Sequence, residues 1–304
     1  MTVTPASFDA ATTAFTVAFG KGLQSAAPIW RQISDLRPSS TKTERYPFRG
    51  KLARMREWIG PRTLKQLQAY DYTVVNRKFE DTVEVPLDDI EDDRIGLWTG
   101  AMQDLGEACS YLPDDLVIEA LIEGDAQICY DGEYFFDTDH PTDPYNSGAG
   151  TQANLYTSTS LTEANYATVR ANMMKRTDEH GNIIRVNPNL LVVPAALEAT
   201  ARKIVIGEYI SQSSGSTQTN VMAGTAGILV LPQLDSDSTT TWYLLDTSRP
   251  VKPFFYQQRV APQFQNDTAL DSPRVMDTDC VLYGARARGA AGYALWQLAS
   301  RCNA

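Results

Sequence analysis

Histidine is the scarcest chemistry-bearing residue in this chain: His140 and His180 are the only two in 304 residues. Cysteine is nearly as rare, and Cys109, Cys129, Cys280 and Cys302 form no CxxC pair, which removes the usual structural-zinc spacing. One of these cysteines falls on an apolar helix stripe, so reduced thiols in a cytoplasmic setting are expected rather than a disulfide framework. There is no GxSxG elbow, no SxxK and no GxxxxGK[ST]; Gly20-Lys-Gly22 and Gly224-Thr-Ala-Gly227 are too short to cradle a phosphate. No apolar run approaches the ~20 residues a membrane span requires, and the stretch Met1–Ala6 lacks the basic start and apolar core of a signal peptide. With a net charge of −10, the molecule as a whole is not built for nucleic-acid binding, because phosphate contacts need clustered Lys and Arg.

What is present is a folded composition, 43% hydrophobic and 21% charged, organised around one long amphipathic run. Trp98, Met102, Leu105, Cys109, Leu112, Leu116 and Ala120 alternate spacings of four and three, which keeps them on one face of a helix. The apolar phase continues across Pro113, so a kink is expected there rather than an end. Asp88, Asp89, Glu91, Asp92 and Asp93 stand just ahead, where carboxylates suit a helix N-terminus. The expectation is a spine of about 26 residues, roughly 40 Å long.

The segment before the spine separates its charges. From Lys42 to Lys78, ten basic residues face only Glu44, Glu57 and Asp71, whereas 80–93 carries eight acidic residues and no basic one. Two readings remain open: the blocks neutralise each other within one chain, or they complement a second copy head to tail. The same segment reads as a two-stranded projection, with a turn marker at Gly60-Pro61 and a strand from Tyr72 to Val85. Val75, Phe79, Val83 and Val85 are expected on one face; Tyr72, Asn76, Lys78, Glu80, Thr82 and Glu84 on the other. A lone hairpin of this length is marginal in water and wants a partner surface.

Elsewhere the signals are shorter. Residues 1–40 read as an extended arm with a short helix over Ala10–Gly20. Thr162–Met174 reads as a helix, Leu190–Val193 as a buried strand, and Pro194 opens a helix over Ala195–Ile206. Ser211–Asn220 is a Ser/Gly/Thr-rich loop, and strands are expected at Ile228–Leu231, Thr241–Leu245, Pro253–Gln257 and Cys280–Arg288. The irregular alternation of helix and strand gives an α+β class.

The search for chemistry returns little. Asp137, Asp139 and His140, with Asp131 and Glu133 upstream, offer an oxygen-rich metal site with one imidazole. The same residues are ordinary turn formers between apolar stretches, and this second reading is preferred. No catalytic, cofactor-binding or metal-binding residue is assigned, no cofactor is expected, and the protein is read as not an enzyme.

Several stretches carry a resemblance: Met55–Gly60, Tyr72–Glu80, Val85–Asp93, Cys129-Tyr-Asp-Gly-Glu-Tyr-Phe-Phe-Asp-Thr-Asp-His-Pro141 and Gly292–Leu298. In this order they resemble the major head subunits of Mu-like bacteriophages, capsid proteins with the HK97 fold. The resemblance implies an N-terminal arm at 1–40, an E-loop hairpin at 41–92, and a peripheral domain with its spine helix at 93–150. It further implies an axial domain at 151–250 and a return to the peripheral domain at 251–304. Its implied function is self-assembly into hexamers and pentamers of an icosahedral head that encloses double-stranded DNA, put together in the host cytoplasm with portal, scaffold and possible decoration proteins and no membrane. Lys51, Arg54, Arg56, Trp58, Arg62, Lys65, Tyr72, Phe79, Glu80 and Glu84 are the expected intersubunit residues on the hairpin. For Trp58, Tyr72 and Phe79, packing within the chain is an equally open reading. No stretch reads as a removable scaffolding segment, and no Lys–Asn cross-linking pair is assigned. The alternatives are an encapsulin-like nanocompartment shell and, in a different class, a metal-dependent enzyme using Asp137, Asp139 and His140.

Overall fold

A computed structural model describes residues 5–49, 69–92, 94–143, 147–211, 217–269 and 272–304. The long amphipathic run is a single helix, Ile95–Ile122, that continues through Pro113. Met102, Leu105, Leu116 and Ala120 of its stripe are buried, and Trp98, Cys109 and Leu112 are half-buried against the same cores. The stripe lies on a four-stranded sheet in the order Ser34–Pro38, Phe254–Asp267, Cys280–Tyr293, Arg77–Pro86. The first pair is parallel and the others antiparallel. The strand Phe254–Asp267 is far longer than its sequence signal, and its register shifts between Gln258 and Gln263. Pro262 sits in that interval and has no N–H to offer a ladder.

Pro5–Ser25 is a helix rather than an extended arm, and it lies along the spine helix, burying Phe8, Phe15 and Phe19 with Met102 and Leu105. Two glycines set the approach. A Cβ on Gly22 would come within 2.0 Å of the Gln103 carbonyl oxygen, and one on Gly106 within 2.2 Å of the Phe19 carbonyl oxygen. The helices therefore meet backbone to backbone, which extends their contact beyond what the short apolar signal over Ala10–Gly20 implied.

Among the described residues the acidic cluster does not cap the spine. Leu87–Glu91 forms its own single helical turn with Ile90 buried, and the residue ahead of the long helix, Arg94, supplies no side-chain cap. Asp89 instead accepts from Trp98 Nε1 at 3.0 Å and pairs with Arg94 at 3.4 Å.

A second sheet of five strands runs Gly227–Val230, Leu190–Val193, Trp242–Leu245, Ala299–Cys302, Leu155–Tyr156. Its two faces enter two cores. Val192, Tyr243 and Leu245 pack with the spine helix and Phe254; Leu191, Val193, Trp242 and Leu244 pack with the helices Glu163–Lys175 and Glu198–Val205. Burial on both faces explains why these strands read as continuous apolar runs. Ala195–Leu197 is a 3₁₀ turn ahead of the second helix, and part of the expected Ser/Gly/Thr loop is paired, with Tyr209–Ser211 antiparallel to Thr217–Thr219. The C-terminal strand Ala299–Cys302 lies between Trp242–Leu245 and Leu155–Tyr156 in the second sheet, so the tail joins both layers.

The strand expected over Tyr72–Val85 is two strands in two sheets. Among the described residues Ala69–Val75 pairs only with Thr43–Arg49, and Arg77–Pro86 joins the four-stranded sheet. Asn76 between them belongs to neither, and the inward parity changes across it. Val74 and Asn76 are buried and Val75 is 52% exposed, so Tyr72 and Asn76 do not share the solvent face assigned to Lys78, Glu80, Thr82 and Glu84.

Candidate assembly surface

The paired ribbon Thr43–Arg49/Ala69–Val75 is anchored on the large sheet, and its root is a polar knot. Asn76 Nδ2 donates to Ser39 Oγ at 2.7 Å and to the Thr41 carbonyl at 2.8 Å. Its Oδ1 accepts from Gln257 Nε2 at 2.8 Å, and Gln257 Oε1 accepts from the Tyr46 hydroxyl at 2.7 Å. Asn76 and Gln257 are both buried, and each has its amide matched on both sides. One turn away, Glu44 Oε1 accepts from the Ser39 hydroxyl and the backbone N–H groups of Ser40 and Thr41. Those bonds, the backbone ones foremost, pull its carboxyl down to about 2.

Beneath the knot is an aromatic seat. Tyr46 and Phe255 meet edge to face at 4.7 Å, and Tyr72 lies 6.3 Å from the rings of both Phe255 and Tyr293. The Arg37 guanidinium covers Phe255 at 4.0 Å. Gly292 makes room: a Cβ there would come within 2.6 Å of the Phe255 ring. Burial pushes the Tyr72 hydroxyl up to about 12. Arg77 closes the spine side with a bidentate pair to Glu119 at 2.6 and 2.8 Å.

Of the ten expected interface residues, Lys51, Arg54, Arg56, Trp58, Arg62 and Lys65 lie outside the described residues. Tyr72 packs into the chain's own core. Phe79 is half-buried in an apolar groove with Cys109, Leu112, Ala285 and Ala287. Glu84 pairs with Arg274 at 2.8 Å; Glu80 is exposed and accepts from the Thr82 hydroxyl at 3.1 Å. Asn76, Gln257, Phe255 and Arg37, which hold the ribbon's base, were not singled out by sequence. Asn76 carried a readable signal, a polar break in an apolar alternation.

The Asp/His cluster does not converge as one site. His140 is fully buried; its Nδ1 lies 2.8 Å from Asp131 Oδ2 and its Nε2 lies 3.2 Å from Asn154 Oδ1. Asn154 Nδ2 donates to the Phe135 carbonyl, and Oδ1 accepts from the Asp137 N–H, so Oδ1 is the face shown to His140 and Nε2 carries a proton. The ring stacks on Trp296 at 4.1 Å and 7°. Cys129 Sγ donates to Asp131 Oδ1 at 2.8 Å, and burial pushes that thiol up. Asp137 and Asp139 turn away to group with Glu133, and hydrogen bonding and repulsion from Asp137 raise the Asp139 carboxyl. His140 thus ties the 129–140 loop to Trp296 and Asn154.

Comparison with known proteins gives a consistent family. The model of the Mu-like prophage major head subunit gpT matches residues 8–160, 146–234 and 233–304. The major capsid protein of Escherichia phage Mu is 30% identical over 299 residues, covering 98% of this chain and 74% of that one. The Mu-like prophage FluMu major head subunit of Haemophilus influenzae is 30% identical over 287 residues, 93% of this chain and 70% of that one. Among solved structures, the procapsid of bacteriophage JBD30 superposes with a TM-score of 0.61 at 30% identity, covering 98% of this chain and 75% of that one.

Proposed function

Because the chain belongs to the Mu-like prophage major head subunit family and is a major capsid protein of HK97-type fold, we propose that its ribbon is the intersubunit element of a head made of hexamers and pentamers around double-stranded DNA. In this reading residues 41–92 form the E-loop, 93–150 and 251–304 the peripheral domain, 151–250 the axial domain, and 1–40 an N-terminal arm docked on the spine. Assembly takes place in the host cytoplasm, with scaffold and portal proteins as partners.

The observation that supports this most is the ribbon itself. Its strands pair with each other over seven registers, Thr43↔Val75 to Arg49↔Ala69, and with no third strand among the described residues. A two-stranded ribbon is marginal alone, yet this one is fixed at its base by the Asn76 knot and the Phe255 seat. Fixing the base while leaving the edges unpaired suits a strand pair that finishes its contacts on a neighbour.

The test is particle mass and shape of the expressed protein, by size exclusion and negative-stain microscopy, alone and with a co-expressed scaffold. Closed shells, tubes or rings of five or six are expected. Reversing Arg54 and Arg56 to Glu is expected to abolish them while leaving the monomer folded. Normal shells from that double variant would overturn the ribbon as an intersubunit element, and a protein that stays monomeric even with scaffold would overturn assembly.

A further inference from the structure

The solvent face of the four-stranded sheet has a cationic end that nothing among the described residues neutralises. Lys78 stands directly across from Arg288, and Arg286 lies two residues on, across from Glu80. Partners across a ladder share a face, so all three cations project together, opposite the face where Phe79, Ala285 and Ala287 meet the spine helix. Among the described residues none of the three makes an ion pair or side-chain hydrogen bond, Arg286 and Glu80 included. Arg288 is half-buried and its Nε is buried without any partner. Like charges directly opposite each other in a sheet are unfavourable, and a buried guanidinium N–H without an acceptor is costly. Such a site lacks an anion.

The same sheet carries the complement at its far end. Arg77–Pro86 runs from the cations to the turn Leu87–Glu91, roughly 25 Å at strand rise. There Asp88 and Asp277 are exposed, and no ion pair engages either among the described residues. Glu84, by contrast, is held by Arg274. One chain cannot fold its two sheet ends together, so cation and carboxylate can meet only between copies.

We propose that Lys78, Arg286 and Arg288 form a receptor for the Asp88/Asp277 carboxylates of a second copy of this chain, in a head-to-tail contact. Arg288 is its centre, because its Nε gains the acceptor it lacks. Duplex DNA fits less well, since Glu80 and Glu84 project from the same face and would repel phosphates. The contact rests on the assembly reading above, but uses residues outside the ribbon.

The test is a charge swap in the full chain, read by shell yield in sedimentation and microscopy. Lys78→Glu with Arg288→Glu is expected to lower shell yield by about tenfold or more, and adding Asp88→Lys with Asp277→Lys to the same chain to restore it to within about threefold. Near-UV circular dichroism of the monomers checks folding, and Lys78→Gln with Arg288→Gln substitutes if the reversal fails to fold, with the same direction expected. Undiminished shells from the reversed or neutral pair overturn the proposal. So does a loss that the acidic-end swap leaves unrepaired, which removes Asp88 and Asp277 as the occupant. Duplex DNA binding by the wild type that the reversal abolishes overturns it in favour of phosphate. A wild type that forms no shell even with co-expressed scaffold overturns the assembly reading itself, and this contact with it; wild-type shells with a silent reversal overturn this contact alone.

Discussion

Two polar regions of this molecule behave in opposite ways. Around Arg176 the charge is buried and surrounded by acceptors: Nη1 donates to the carbonyls of Gln297 and Ala299, and Nη2 to Ser300 Oγ and the Ala153 carbonyl, leaving only Nε without a partner. On the open sheet face, Lys78, Arg286 and Arg288 have no acceptor among the described residues. A buried charge persists only when its hydrogen bonds are met, so the first region is finished by folding. The second is finished only by something else. Polar satisfaction therefore separates the parts of this subunit that build the monomer from those that wait for a neighbour, better than exposure or charge alone.

The comparison is broken most severely at Arg176. Replacing it with Met leaves three carbonyls and a hydroxyl without donors at the junction of 153, 176 and the C-terminal strand, and should cost roughly 3–5 kcal/mol. Urea unfolding of the monomer measures it; a loss under about 1 kcal/mol would mean that water replaces the guanidinium and the region is not finished by folding. Gly106→Ala comes next. Its Cβ would stand 2.2 Å from the Phe19 carbonyl oxygen, which forces the N-terminal helix off the spine at about 1–3 kcal/mol. Hydrogen exchange over Pro5–Ser25 should rise more than exchange elsewhere.

How far these regions are readable from sequence follows from what each depends on. The spine was legible because its stripe, Trp98 to Ala120, repeats over about six turns. The central strands showed as apolar runs because both faces are buried. The helix Pro5–Ser25 was underestimated because part of its contact is the close approach at Gly22 and Gly106, and closeness leaves no apolar residue to count. The Tyr72–Val85 alternation was misread at Asn76, where a change of sheet reverses the inward parity and a single polar residue is the only mark. His140 was grouped with Asp137 and Asp139, with Asp131 upstream; of these only Asp131, nine residues before it, is a partner, and Asn154, fourteen residues after it, carried no sequence signal. Within the candidate surface, charge segregation pointed to the segment. Arg286 and Arg288 went unremarked because they enter from a strand two hundred residues later.

The ribbon's base sharpens the contrast at smaller scale. Asn76→Ala should leave Gln257 Nε2 without an acceptor and remove the Asn76 donor from Ser39 Oγ and the Thr41 carbonyl, costing about 2 kcal/mol, seen as faster exchange in Thr43–Arg49 and Ala69–Val75 with the spine unchanged. Glu44 adds a pH dependence of known sign. Its carboxyl drops from the usual 4.5 to about 2 on folding, so its contribution is intact above pH ~4.5 and disappears as pH falls toward 2. The wild type should lose more thermal stability than Glu44→Gln across that interval; parallel curves would mean the three N–H and O–H donors do not hold the carboxylate in solution.

The smallest expected effect is the most telling one for the open face. In the monomer, Lys78→Gln should change stability by less than about 0.5 kcal/mol, and the change should be stabilising, because it removes a like charge placed directly across from Arg288. Added salt should shrink that gain, since screening already relieves the repulsion in the wild type. A loss of stability in the isolated monomer would show that Lys78 has an acceptor within its own chain. The face would then belong with Arg176 among the regions that folding completes, and the distinction between built and waiting charge would no longer hold there.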